Sequence, residues 1–272
     1  MSIFAKKMML DWTVSGRQWL EVEGRRLEAQ VWGPPPDRAL TLVLLHEGLG
    51  SVSLWRDFPA DLAAKSGCGV LAYSRPGYGR SDVKAPPWPL DYMTREALEV
   101  LPHVLDQGGL RRAVLLGHSD GASIAAIYAG RVDDARITGL CLMAPHFFTE
   151  AKGLEAIRAA REAYRTTDLA ARLGRHHDDP DATFRGWNGA WLDPSFEAWN
   201  IEDVIGGITV PVLALQGRED QYGTLAQIEA LEAGLAVAPE VVLFDQCRHS
   251  PYIDRAPETV AAIARFAASQ GK

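Results

Sequence analysis

The sequence predicts an α/β fold: a mostly parallel, twisted sheet of about eight strands, with helices on both faces and a helical cap inserted after the sixth strand. Three observations predict it. Short β-type runs alternate with helical segments along most of the chain, the rhythm of a parallel sheet with crossover helices. The later runs are nearly continuous in apolar residues, as strands covered on both faces are. One stretch, 147–205, breaks the rhythm with no strand at all.

The elements follow in order. "WLEVEG" (19–24) and "LEAQVW" (27–32) form a hairpin through Gly24. "TLVLL" (41–45), "VLAY" (70–73), "AVLL" (113–116), "ITGLCLM" (137–143), "VPVLALQ" (210–216) and "EVVLFD" (240–245) are the remaining strands. Helices are expected over 56–66, 92–107, 120–131, 223–234 and 257–269. The interruption holds "GLEAIRAAREAYRTTDLAARLGRHH", helical in composition, then "FRGWNGAWLDPSFEAWN". It reads as a cap over the strand ends, giving a core of 1–146 and 206–272 and a cap of 147–205. The apolar underside of such a cap walls a pocket, for which Phe184, Trp187, Trp191, Phe196 and Trp199 supply ring surface.

Bulk composition narrows the function. At 47% apolar and 23% charged, the 272 residues build one ordinary globular core with an insertion. A net charge of −7 offers no basic face to phosphates, which argues against nucleic-acid and anionic-membrane partners and for a small-molecule substrate. The apolar run from Met8 to Leu10 is too brief for a signal peptide. Cys68, Cys141 and Cys247 stand far apart in no C-x-x-C pair, so a reducing cytoplasm is the simplest home. Oligomeric state has no signature in the sequence.

The chemistry concentrates in "AVLLGHSDGASIAA" (113–126), where Ser119 and Asp120 sit side by side. A serine points to acyl transfer, an aspartate to attack on a halide- or epoxide-bearing carbon. A nucleophile on a sharp strand-to-helix turn needs small residues two before and two after it. Around Ser119 these are Gly117 and Gly121; around Asp120 they are His118 and Ala122. The glycine frame selects Ser119 and leaves Asp120 to open the helix, where a carboxylate suits the dipole.

A serine needs a base, and the base an orienting acid. "GREDQYG" after one later strand offers Glu219 and Asp220, with Asp220 favoured, and "QCRHSPYIDRAPE" after the last offers His249. Among the other histidines, His46 belongs to a separate motif, His118 is expected to point elsewhere on the turn, and His103 to lie on a helix surface. His146 follows a strand end and lines the pocket. His176 and His177 in "HHDDP" read as a polar cap loop rather than a metal site.

With these residues in place, the chain resembles a capped, cofactor-free α/β-hydrolase over nearly its whole length. The matching stretches are "LLHEGLGS" (44–51), "YSRPGYGRSD" (73–82), "GHSDG" (117–121), "GRED" (217–220) and "HSPYIDRAPE" (249–258). The resemblance implies the fold, a Ser119–Asp220–His249 triad and an oxyanion hole, and leaves the substrate open. Two positions depart from the family pattern: its histidine–glycine pair appears as His46–Glu47, and the aspartate opening its G-x-G-x-S loop is Ser74.

The expected reaction is carboxylic-ester hydrolysis through an acyl-enzyme, with no metal or organic cofactor. The backbone N–H groups of Asp120 and Gly48 form the oxyanion hole, and Glu47, His146, Trp187, Trp191 and Tyr222 line the pocket. Arg75, Pro76, Gly77 and Gly79 shape a loop beside the site, and Trp55 packs at a helix start. Tyr222 and Tyr252 flank the acid and the base. The alternatives are a C–C hydrolase of ring-cleavage products, for which Arg172, Arg175 or Arg185 would meet a carboxylate, a thioesterase or lactonase on the same triad, and a catalytically silent small-molecule receptor.

Overall fold

A computed structural model describes residues 9–271; residues 1–8, which include Met8 of the apolar run weighed as a leader, and residue 272 lie outside it. Strands β1 (Gln18–Val22), β2 (Arg25–Trp32), β3 (Thr41–Leu45), β4 (Gly69–Tyr73), β5 (Ala113–His118), β6 (Ile137–Met143), β7 (Val212–Gly217) and β8 (Glu240–Phe244) form one sheet in the order β1-β2-β4-β3-β5-β6-β7-β8. The first two pairings are antiparallel, and the β4-β3-β5-β6-β7-β8 run is parallel throughout. β3 and β5 are buried at every residue, as their unbroken apolar sequences require.

Helices α1 (Phe58–Ser66), α2 (Tyr92–Arg95), α3 (Leu101–Gln107) and α4 (Asp120–Arg131) separate the first six strands. The expected continuous helix over 92–107 is interrupted by a π turn at Glu96–Val100, next to Pro102, whose missing N–H cannot continue an α-helical ladder. Between β6 and β7 come α5 (Ala151–Thr166), α6 (Leu169–Leu173) and α7 (Pro180–Trp191); α8 (Ala226–Gly234), α9 (Pro251–Asp254) and α10 (Ala256–Gln270) complete the described chain. Among the described residues, no helix is long and apolar enough to cross a membrane.

Two apolar clusters fill the faces of the sheet. One gathers Trp55, Phe58, Leu62, Tyr252, Ile263 and Phe266 beneath α1 and α10; the other joins the α4 side to the cap through Phe147, Trp187 and Trp191. The elements after β6 therefore share a core with α4 and sit over the C-terminal strand ends, where open α/β sheets hold their ligands.

Candidate active site

Ser119 stands alone between β5 and α4 at φ 54°, ψ −120°, a left-handed conformation that strains a residue with a β-carbon. The glycine frame has a steric cause. A Cβ on Gly117 would lie 2.2 Å from the Gly121 carbonyl oxygen, and one on Gly121 would lie 2.0 Å from that of Leu45. Ser119 lines a cavity of about 200 Å³.

Asp220 and His249 meet beside it. His249 Nδ1 lies 2.9 and 2.8 Å from the two carboxylate oxygens of Asp220. Carboxylate oxygens only accept, so Nδ1 carries the proton and Nε2 is left to take one. Asp220 also accepts from Gln216 Nε2 (2.9 Å) and the Tyr222 N–H (2.8 Å). Burial works to raise its pKa, yet His249 and these donors hold it well below the usual carboxylate range. Glu219 is exposed and turned away, accepting from the N–H groups of Cys247 and Gln246 and so bracing the loop before His249.

Gly48, in the loop after β3, and Asp120, at the first turn of α4, both line the cavity, and the backbone N–H of each has no acceptor among the described residues. The loop carrying Gly48 is compact. The Glu47 carbonyl accepts from the Gly50 N–H (3.0 Å), His46 Nδ1 (2.8 Å) and Arg75 Nη2 (2.8 Å). Gly48 is obligatory, because a Cβ there would come within 2.0 Å of Trp187 Nε1 in α7.

The cap supplies Glu150, Gly153, Ile157, Trp187 and Trp191 to the cavity wall; His146, Tyr222, Gln221, Leu49 and Ser250 complete it beside the elbow residues. All five expected wall residues, Glu47, His146, Trp187, Trp191 and Tyr222, border it. Phe184, Phe196 and Trp199 do not. They back the wall, with Phe196 edge-on to Trp191 at 4.9 Å and stacked on Trp199 at 5.2 Å. Tyr252 likewise packs on Trp55 and Phe58 rather than on the cavity.

Three sequence expectations need correction. His118 does not point away: its ring borders the cavity, Nε2 donates to the His249 carbonyl (2.8 Å), and Nδ1 faces Glu47 Oε2 at 3.5 Å. His177 lies in the expected loop, between α6 and α7, but is not solvated there: it is 1% exposed, its Nδ1 accepting from the Gly79 N–H (2.9 Å) and its Nε2 donating to the Leu49 carbonyl (3.0 Å). Both were illegible because their partners lie far away in sequence. Arg172, Arg175 and Arg185 are exposed, and none borders the cavity.

Charge in the site is distributed unevenly. Among the described residues, no lysine or arginine lines the cavity. Burial opposes ionisation of Glu47, but contact with His118 brings its pKa down to about 2. The Asp120 carboxylate turns into the core, accepting from Tyr92 Oη (2.5 Å) and Trp191 Nε1 (3.3 Å), with Arg75 Nη1 at 3.8 Å. Burial and the neighbouring His249 lower His146 to about 4, which keeps it neutral at pH 7. Among the described residues no cluster of His, Cys, Asp and Glu could hold a metal ion.

Comparison with known proteins follows the same lines. A model of the alpha/beta hydrolase family matches residues 42–263. A proline iminopeptidase of Lactobacillus delbrueckii subsp. lactis is 34% identical over 99 residues, 36% of this chain. Epoxide hydrolase B of Mycobacterium tuberculosis is 32% identical over 116 residues, 40% of this chain. The matched segments span about a third of these two relatives, 33% and 30% of their lengths. An esterase from Rhodococcus sp. ECU1013 superimposes with a TM-score of 0.71 at 22% identity, covering 94% of this chain and 99% of that one, a likeness of fold.

Proposed function

The chain belongs to the alpha/beta hydrolase family, and from that premise we propose that it is a serine hydrolase cleaving carboxylic esters of small or aromatic neutral acids. The observation that carries this reading is a strained Ser119 and a His249 held by Asp220, the serine and the histidine lining one cavity. In this mechanism His249 Nε2 takes the hydroxyl proton as Ser119 attacks the carbonyl carbon, and Asp220 holds the tautomer and steadies the imidazolium. The Gly48 and Asp120 N–H groups receive the oxyanion, each worth on the order of 3 kcal/mol of barrier. His249 returns the proton to the leaving alcohol, and water repeats the cycle on the acyl-enzyme.

Asp120 is disfavoured as the nucleophile because its carboxylate is occupied by Tyr92, Trp191 and Arg75. The substrate class follows from the wall. Ile157, Leu49, Trp187, Trp191 and Tyr222 present apolar surface in a cavity of about 200 Å³, with no cation to meet an acyl carboxylate. The absence of a lining arginine also weighs against the C–C hydrolase reading. Replacing Ser119→Ala tests the assignment. Ester hydrolysis is expected to fall by roughly 10⁴-fold or more, and fluorophosphonate labelling to vanish, with the thermal transition retained. Labelling that persists in the variant refutes it.

A further inference from the structure

We infer that Arg75 is the positioning residue of the oxyanion hole, one guanidinium holding the carbonyl of the Glu47–Gly48 peptide and facing the carboxylate of Asp120, the two residues Gly48 and Asp120 being those assigned to donate to the substrate carbonyl. This rests on the oxyanion assignment above and goes beyond it.

The Glu47 carbonyl and the Gly48 N–H belong to one peptide unit. That unit is planar and trans, so the two groups point to opposite sides and fixing one aims the other. Arg75 Nη2 donates to the Glu47 oxygen at 2.8 Å from behind the loop, while Gly48 borders the cavity in front. A hydrogen bond from a cation draws electron density toward the carbonyl oxygen and strengthens the N–H on the far side as a donor. The same guanidinium reaches the second donor residue, with Nη1 3.8 Å from the Asp120 carboxylate. Nη1 has no hydrogen-bond partner of its own among the described residues, and the Asp120 carboxylate is its ion-pair partner.

Several neighbouring groups keep the cation in this place, the buried Glu96 carboxyl among them. The Arg75 N–H donates to His46 Nε2 at 3.1 Å, which leaves the proton of that ring on Nδ1, where it too donates to the Glu47 carbonyl. Burial, and next the charge of Arg75, hold the His46 pKa well below 6.5, so the ring remains neutral. The guanidinium lies over the Tyr78 ring at 4.5 Å, and Tyr92 and Trp191 fix the far side of Asp120. Arg75 is 2% exposed, and a charge so far from water acts on the developing oxyanion with little screening. Its side chain does not line the cavity, so it acts through the Glu47–Gly48 peptide and the Asp120 side chain and not on the substrate directly.

The test uses Arg75→Lys, Arg75→Met and Ser119→Ala in the full chain. It reads kcat and KM on a neutral phenyl ester, the affinity of a trifluoromethyl ketone that forms a tetrahedral adduct, and the Gly48 amide proton shift in glycine-labelled protein. Turnover is expected to fall about 10-fold in Arg75→Lys and about 100-fold in Arg75→Met, with KM within about threefold, because one lost oxyanion donor costs 10²–10³. Ketone affinity is expected to fall in step with kcat, and the Gly48 proton to move upfield. If Arg75→Met does not fold, Arg75→Lys, which keeps the charge, is read alone. Turnover and ketone affinity within about twofold of the parent in a folded variant overturn the role of Arg75. So does a rise in KM with ketone affinity unchanged. Where Ser119→Ala abolishes hydrolysis in parallel, only the Arg75 inference falls; hydrolysis that survives Ser119→Ala overturns both readings.

Discussion

Acid is expected to loosen this protein through His177. Its Nδ1 accepts the Gly79 N–H at 2.9 Å and its Nε2–H donates to the Leu49 carbonyl at 3.0 Å, so both nitrogens are committed and the ring must be neutral. A second proton would set N–H against N–H inside a site that is 1% exposed. Burial therefore lowers its pKa from 6.5 to about 4. The unfolded chain takes up this proton as pH falls below 6.5, while the folded chain resists until about 4. The stability from this residue is accordingly complete above the unfolded value and is lost as pH falls through that window. Linkage with these two values gives a loss of about 2 kcal/mol between pH 7 and pH 5, from this one ring. His146 and His46 are shifted in the same direction, so the wild-type curve is steeper than one proton accounts for. Subtraction isolates the residue. Urea unfolding of wild type and of His177→Gln, whose amide offers one donor and one acceptor, at pH 7, 6 and 5 is expected to show the wild type losing about 2 kcal/mol more than the variant. Curves that stay parallel across the range would refute the reasoning.

Two further outcomes concern the site itself. Asp220→Asn is expected to preserve the fold while lowering turnover by something like 10⁴-fold through the wrong His249 tautomer; Glu219→Gln, which keeps an oxygen for the Cys247 N–H, is expected to cost at most a few-fold, and the reverse ranking would move the acid to Glu219. With Glu47 ionised at the cavity and no cation lining it, a neutral phenyl ester is expected to show a higher kcat/KM than the same acyl group on polyanionic coenzyme A; preference for the thioester would move the substrate class.

What the sequence discloses depends on how local the physics is. The boundaries of β6 and α4 match their expected ranges because an apolar run or an alanine-rich segment beside a glycine turn needs no distant information. The placement of Ser119, Asp220 and His249 near one another was legible because each follows a strand end, and a parallel sheet brings strand ends together. His118 and His177 were misjudged because the partners that decide their roles lie 131 and 98 residues away. Arg75 read as a loop former. Its position between Glu47 and Asp120 exists only once the loops after β3, β4 and β5 are adjacent. The cap was legible as helical but not by face, so Ile157 and Gly153 in the cavity wall had no signal beyond their place on α5.

Besides the Trp191 bonds to Tyr92 and Asp120, polar contacts fasten the segment after β6 at two separated places. At its start, Glu150 accepts from the Thr224 N–H and hydroxyl and from Gln227, while Lys152 reaches the Asp220 carbonyl. Beyond α6, Ser53 and Gly79 hold His176 and His177, Arg80 holds Asp178, and Thr183 reaches the Gly77 carbonyl. Residues 153–174 run between these fastenings like a bridge deck between piers, stayed to α7 by the bonds of Ile157 and Arg161 to Asn188 and of Tyr164 to Asp181, and only Gly153 and Ile157 of that span touch the cavity. Inheritance and engineering therefore meet an uneven terrain. The span can drift or be exchanged for another of similar length, altering what fits, whereas a change at either pier reaches the acid loop on one side or the oxyanion loop on the other. New specificities in this scaffold have their cheapest route through the deck.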